Sequence, residues 1–210
     1  MYSTGEQAEL SPAHGTRCAR HTTIACDREH PLRGELERYV QEVFNAKHGA
    51  RVKSFMPTLL ALQGRGGQVC GVTGYRFATD EALFLERYLD VPIEEAIRAV
   101  TDANVSRADI VEVGNLASLR CKAAVHLVAL LPRLLVDKGR SWVVFTATEG
   151  VRTILETFGA PVYELGPARA ERVAGLGDEW GEYYRSDPRI MAGYLPSGFR
   201  LPGFERPVGR

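Results

Sequence analysis

Apolar residues in this chain follow two spacings, one of period two and one near 3.6, and the order in which they alternate predicts a mixed fold. His21 to Cys26, HTTIAC, is a short β-branched run that reads as a first strand, followed by Pro31 near a helix start. PLRGELERYVQEVFNAKHG then repeats apolar positions at Leu32, Leu36, Tyr39, Val40 and Phe44, a helical stripe that stops at Gly49. Two β-like runs come next, TLLALQ at 58–63 and VCGVTGYRFA at 69–78, and the GRGG between them predicts an antiparallel hairpin. Gly71 and Gly74 inside the second run point to a bulge or a close backbone approach. LFLERYLDVPIEEAIRAV leaves Leu83 to Leu89 open between strand and helix before a stripe through Ile93, Ile97 and Val100.

The second half has a different rhythm. Ile110 to Leu116 reads as a strand, and the helix from about Leu119 presents Ala124, Leu127, Val128, Leu131, Leu134 and Leu135 on one side, with a kink expected at Pro132. SWVVFTAT at 141–148 is a strand, GVRTILETFG a helix ending at Gly159, and PVYELG a last short strand. Strand, helix, strand, helix, strand from 109 to 165 implies right-handed crossovers and locally parallel strands, against the antiparallel hairpin before them. The sheet is therefore expected to be mixed. After 166 the chain turns polar and aromatic. The expected organisation is an arm at 1–20, one domain at 21–195 and a loose tail at 196–210.

Composition narrows the function classes. The 210 residues, 45% hydrophobic and 25% charged, are enough for one large core, and 26 basic against 26 acidic residues give no global field toward nucleic acid or anionic membrane. Cys18, Cys26, Cys70 and Cys121 are widely separated without a CxxC pair, which argues against a zinc site or a disulfide framework. Histidines 14, 21, 30 and 48 show no ligand spacing, so no metal is expected. No apolar run approaches the length of a bilayer span and the N-terminal stretch lacks a signal-peptide core, so a cytoplasmic protein without stable membrane insertion is expected.

One residue breaks the pattern. Glu112 sits between Val111 and Val113 in an apolar strand, where a carboxylate costs desolvation energy unless it is solvated, paired or protonated.

The stretches GYRFA at 74–78, LFLERYLD at 83–90, IVEVGNLAS at 110–118, WVVFTAT at 142–148 and WGEYYRSDPRIMAG at 180–193 resemble the thermostable hemolysin family, whose fold is that of the GNAT acyltransferases. The order of elements is also similar to acyl-homoserine-lactone synthases. The resemblance implies an α/β (α+β) fold, with a GNAT-like mixed, mostly antiparallel central sheet, a splayed parallel strand pair and helices on both faces. It implies that the Glu112 strand splays from the strand at Trp142 to Thr148, and that the thioester arm of an acyl donor lies in the wedge. Leu116, Ala117 and Ser118 would bind that arm, with Arg120, Lys122 and Ala123 at the following bend. In most GNAT enzymes that bend is rich in glycine and cradles the pyrophosphate of coenzyme A. Here Arg120 to Val125 contains none, so Arg120 and Lys122 would meet phosphate as charges, and a donor on an acyl carrier protein would need no such loop.

The implied reaction is transfer of an acyl group from a thioester, acyl-CoA or the phosphopantetheine of acyl carrier protein, to an amine-bearing small molecule, with no tightly bound cofactor. Glu112 is the expected general base, with an ion pair to Arg76 or Arg120 as the competing structural reading. Asn115 would orient that carboxylate or donate to the oxyanion, or else be a bulge residue. Tyr184, with Tyr183 as the alternative, would protonate the leaving thiolate, unless both simply pack. Arg76, Glu86, Trp180 and Tyr183 are the expected acceptor-binding residues, with a surface salt bridge as the competing reading for the first two. Cys121 near a helix start leaves a covalent acyl-enzyme open. Expected partners are the small acceptor, acyl carrier protein and a second copy in a homodimer, with no nucleic acid. Two other functions stay open: a non-catalytic ligand-binding module and a membrane-active hemolysin.

Overall fold

The hairpin and the crossover meet in one sheet. In the computed structural model, which describes residues 21–157, 159–173 and 177–197, seven strands lie in the order β1-β2-β3-β4-β5-β7-β6. They are β1 (Thr22–Cys26), β2 (Thr58–Gln63), β3 (Val69–Phe77), β4 (Ile110–Ala117), β5 (Trp142–Ala147), β6 (Val162–Pro167) and β7 (Arg189–Tyr194). The helices are α1 (Arg33–His48), α2 (Ile93–Thr101), α3 (Cys121–Asp137), α4 (Glu149–Thr157) and the short α5 (Gly177–Trp180). The expected arm at 1–20 lies outside the described residues, as does the tail beyond residue 197.

Only β4 and β5 run parallel; every other neighbouring pair is antiparallel. The expected succession of parallel neighbours through residue 165 is corrected here, because β7 inserts between β5 and β6 and pairs antiparallel with both. That strand lies inside the segment read as polar and aromatic. Its apolar core is only Ile190, Met191 and Ala192, a run too short to declare a strand unless partners on both sides are known.

Alternation along the strands assigns the helices to faces. Leu59 and Ala61 of β2 pack with α1 through Leu36, Val40, Val43 and Phe44, while Leu60 and Leu62 turn to the other face and meet α3. Ile110, Val144 and Ile190 pack with α2, whereas Val111 and Val143 join Leu131 and Leu135 of α3. One face therefore carries α1 and α2, and the other carries α3. Gly49, in the left-handed conformation at φ 62°, ends α1 where the stripe predicted. α3 continues through Pro132 to Asp137.

Leu83 to Leu89 resolves as neither strand nor helix but as a 3-10 turn over Phe84–Tyr88. One carboxylate distant in sequence, Glu112, takes up its leading amides, so its local pattern alone could not define it.

Candidate active site

β4 carries both irregularities that make the site. The first is its register. Parallel pairing with β5 ends at Val113 opposite Phe145, while β4 continues beside β3 to Ala117 and β5 continues beside β7 to Ala147. The two strands splay, leaving the β5-facing edge of β4 unpaired from Gly114 onward.

The second is a bulge. Gly74 pairs with Gly114 and Val72 with Ala117, so β4 spends one residue more than β3 over this interval. Asn115 sits there with φ 52°, a left-handed backbone that asparagine tolerates better than most residues. Its Oδ1 accepts from the Met56 amide at 2.8 Å and its Nδ2 donates to the Ser54 carbonyl at 3.3 Å. Asn115 is thus the bulge residue, and its amide ties residues 54–56 to β4. Met56 fits over the glycine pair: a Cβ at Gly74 would stand 2.6 Å from Met56 Cβ, and one at Gly114 2.4 Å from its Cε.

Glu112 precedes the bulge and points to the α1/α2 face, opposite Arg76 in the register. It is only 3% exposed. Its Oε2 accepts from the Phe84 amide at 2.9 Å and its Oε1 from the Leu85 amide at 3.0 Å, while Arg76 Nε stands 3.1 Å from Oε2. Arg76 is in turn held against Met56 Sδ at 3.2 Å and Glu81 at 3.4 Å. Burial pushes the Glu112 carboxyl above its ordinary value, and Arg76 and the two amides pull it back. Of the two ion-pair partners considered, Arg76 is the one Glu112 meets.

A cavity of about 970 Å³ opens at the splay, and its lining comes from both faces of the sheet. On the α3 face it is apolar, with Val128, Leu131, Leu135, Val143 and Leu195. On the α1/α2 face it is aromatic, with Phe44, His48, Phe84, Tyr88, Trp180 and Tyr183, and Glu112, Arg76 and Asn115 stand in its wall. The rings contact one another in sequence: Phe84 to Trp180 at 5.8 Å, Trp180 to Tyr183 at 5.4 Å, and Tyr183 to His48 at 5.4 Å between centroids.

The structure brings most of the sequence candidates together and sets others apart. Leu116, Ser118 and Cys121 line the cavity with Glu112, Asn115, Arg76, Trp180 and Tyr183. Ala117 is instead buried among the α1 contacts, Ala123 packs with Leu62 and Leu127, and Arg120 and Lys122 are exposed at the start of α3, outside the cavity lining. Tyr184 is one hydroxyl removed: its Oη lies 2.7 Å from that of Tyr88, which does line the cavity. Burial raises both hydroxyls above the ordinary tyrosine range. Glu86 does not line this cavity. Arg107 donates to its two oxygens at 2.6 and 2.7 Å, and the same carboxylate accepts from the Leu83 and Ile93 amides. Met56, Phe44, Phe84, Tyr88 and His48 were not legible as site residues, because each belongs to an ordinary apolar or helical pattern. Among the described residues, no group of three or more His, Cys, Asp or Glu is arranged to hold a metal, and no helix is long and apolar enough to cross a membrane.

The family model described as thermostable hemolysin matches residues 26–199. The chain belongs to the thermostable hemolysin family. No curated protein sequence matches this thermostable hemolysin chain. Its fold is similar to the AHL synthase LasI, with 16% identity, a TM-score of 0.58, and 85% of this chain and 91% of that one covered. It is also similar to FeeM, an N-acyl amino acid synthase from uncultured soil microbes, with 14% identity, a TM-score of 0.60, and 87% and 94% covered. A third likeness is to BjaI, a CoA-dependent acyl-homoserine lactone synthase solved with SAM and isopentyl-CoA, with 15% identity, a TM-score of 0.55, and 85% and 84% covered. These likenesses establish the mixed, mostly antiparallel GNAT-like sheet for the thermostable hemolysin chain.

Proposed function

We propose that this protein is an acyltransferase that moves an acyl group from a thioester donor to an amine-bearing small molecule. The observation that carries the reading is the cavity passing through the β4/β5 splay, apolar on one face of the sheet and aromatic and polar on the other. Such a passage lets an acyl chain and an acceptor enter from opposite sides and meet at the sheet. The unpaired edge of β4 from Gly114 to Ala117 offers backbone groups that need partners, and the amides of a pantetheine arm supply them. The AHL, N-acyl amino acid and CoA-dependent synthases that share the fold bring the same reaction class to this chain.

In this reading Glu112 is an anchor. Two backbone N–H groups donate to its two oxygens and Arg76 Nε forms an ion pair with one of them, and these contacts hold the 84–88 turn and Arg76 against the cavity. Asn115 fixes the bulge, Leu116 and Ser118 flank the donor arm, and Trp180 and Tyr183 wall the acceptor side. Tyr88, backed by Tyr184, presents a hydroxyl that can hydrogen-bond the departing sulfur. Acyl-CoA and acyl carrier protein both remain donors in this scheme, because the bend after Ser118 has no glycine for a pyrophosphate cradle.

The test is a thiol-release assay with acyl-CoA and acyl-carrier-protein panels, each with and without pooled amines. Release that needs both donor and amine, and that disappears in Thr146→Trp, which puts an indole at a cavity-lining position of β5 just past its last pair with β4, is the expected result. If no donor releases thiol, or if Thr146→Trp turns over as fast as the parent, the reading fails. Donor binding without turnover would make the chain a binding module.

A further inference from the structure

Acyl transfer to an amine needs an acceptor for the amine's proton, and the aromatic side of the cavity carries an imidazole. His48 occupies the last position of α1, and its ring lines the same cavity as Gly114, Asn115 and Leu116, where β4 and β5 part. Among the described residues its ring nitrogens make no hydrogen bond. The ring is held by packing instead, 5.9 Å from Phe44 and 5.4 Å from Tyr183 between centroids.

The backbone of this residue is fixed more firmly than a helix end requires. The His48 carbonyl accepts from the Glu182 amide at 2.7 Å, and Gly181 approaches it so closely that a Cβ there would stand 2.2 Å from the His48 oxygen. The segment that delivers Trp180 and Tyr183 to the cavity is therefore the one that fixes His48. Free exposure at a helix end would leave the imidazole mobile; here it is aimed.

We propose that His48 is the general base of the acyl transfer inferred above, and the proposal rests on that reading. The neutral amine attacks the thioester carbon and forms the C–N bond. Its surplus N–H proton passes to the His48 imidazole, the C–S bond breaks, and the imidazolium returns the proton to the thiolate, so an amide and a free thiol leave. The groups facing His48 suit this cycle. Lys47 adjoins it on α1, Tyr183 and Arg185 face it from the 183–186 turn with Arg185 paired to Glu182, and Glu112 is paired to Arg76 across the cavity. Burial and then Lys47 hold the imidazole below its ordinary value, so it is neutral and able to accept a proton at neutral pH.

The experiment compares pH profiles of kcat/KM for the parent, His48→Gln and Glu112→Gln, with a donor that the parent uses. The parent should lose activity as pH falls through a value below the ordinary histidine pKa. His48→Gln should lower kcat by roughly 10²- to 10⁴-fold, abolish that limb and leave the donor KM unchanged. Added imidazole should restore part of the activity of His48→Ala, which a packing role would not allow. Glu112→Gln should keep the limb. If the parent turns over and His48→Gln retains both its rate and its acid limb, His48 is not the base while the acyl-transfer reading stands. If the parent releases thiol from none of the donors, both fall together.

Discussion

At the scale of single residues, Glu112 decides how β4 is held, because a carboxylate this buried survives only with its partners. Replacing it with glutamine puts an NH2 where one oxygen accepted, and leaves Arg76 with Glu81 alone as its charged partner. Removing one member of a buried ion pair costs about 3–5 kcal/mol. Two observations move this case below that range: Glu81 still compensates Arg76, and burial already opposes the charged form of Glu112. Glu112→Gln should therefore destabilise the fold by about 2 kcal/mol at neutral pH, measured by urea unfolding. The sign of its pH dependence follows from the raised carboxyl. Between the ordinary carboxylate value and the raised one, the folded protein holds a proton that the unfolded chain has released. Stability from this group therefore falls as pH climbs through that window. Glutamine should flatten this slope, and a slope unchanged in Glu112→Gln would assign the dependence to another group.

At the scale of elements, what the sequence revealed divides by the range of the forces involved. The α1 stripe, the 58–78 hairpin and the β4-α3-β5 crossover were legible because each is written in a period of two or 3.6 over a dozen residues or more. The 84–88 turn was not, because Glu112 defines it from 28 residues away. β7 was hidden for the same reason, since its partners lie on other strands. The site split likewise: Glu112 stood out as a charge in an apolar run, and Asn115 as a polar residue at a strand end. His48 looked like an ordinary end of a helix. What distinguishes it is Gly181, whose φ of 51° and contact with His48 exist only in the folded chain. Gly181→Ala should unseat the 180–183 segment, because the obstructing atoms at 2.2, 2.9 and 3.0 Å belong to the His48 and Gly49 backbone. The left-handed backbone alone costs about 1–2 kcal/mol for a residue with a Cβ, and displacement of the segment adds to it. Trp180 fluorescence and the melting temperature should both shift. Gly34→Ala, where an added Cβ meets nothing within 4 Å, should be neutral or stabilising by up to about 1 kcal/mol. Equal effects in the two variants would remove the argument for a fitted contact at Gly181.

At the scale of the molecule, the sheet separates an apolar chamber under α3 from an aromatic chamber beside α1, and the splay joins them. In the proposed reaction this division would put the acyl chain on the α3 side and the acceptor on the ring-lined side. A chain buried among Val128, Leu131, Leu135 and Leu195 gains about 0.8 kcal/mol for each methylene removed from water. At about 1.4 kcal/mol per tenfold, that is roughly a fourfold rise in kcat/KM per methylene for as long as the chamber has room. An even-numbered donor series from acetyl to tetradecanoyl should climb steeply and then level off, with acetyl the poorest. Leu131→Phe narrows the chamber without touching the splay, so it should leave the acetyl rate unchanged and move the plateau to shorter chains. A flat series, or a plateau indifferent to Leu131→Phe, would mean that the chain lies elsewhere and that the apolar chamber is packing alone.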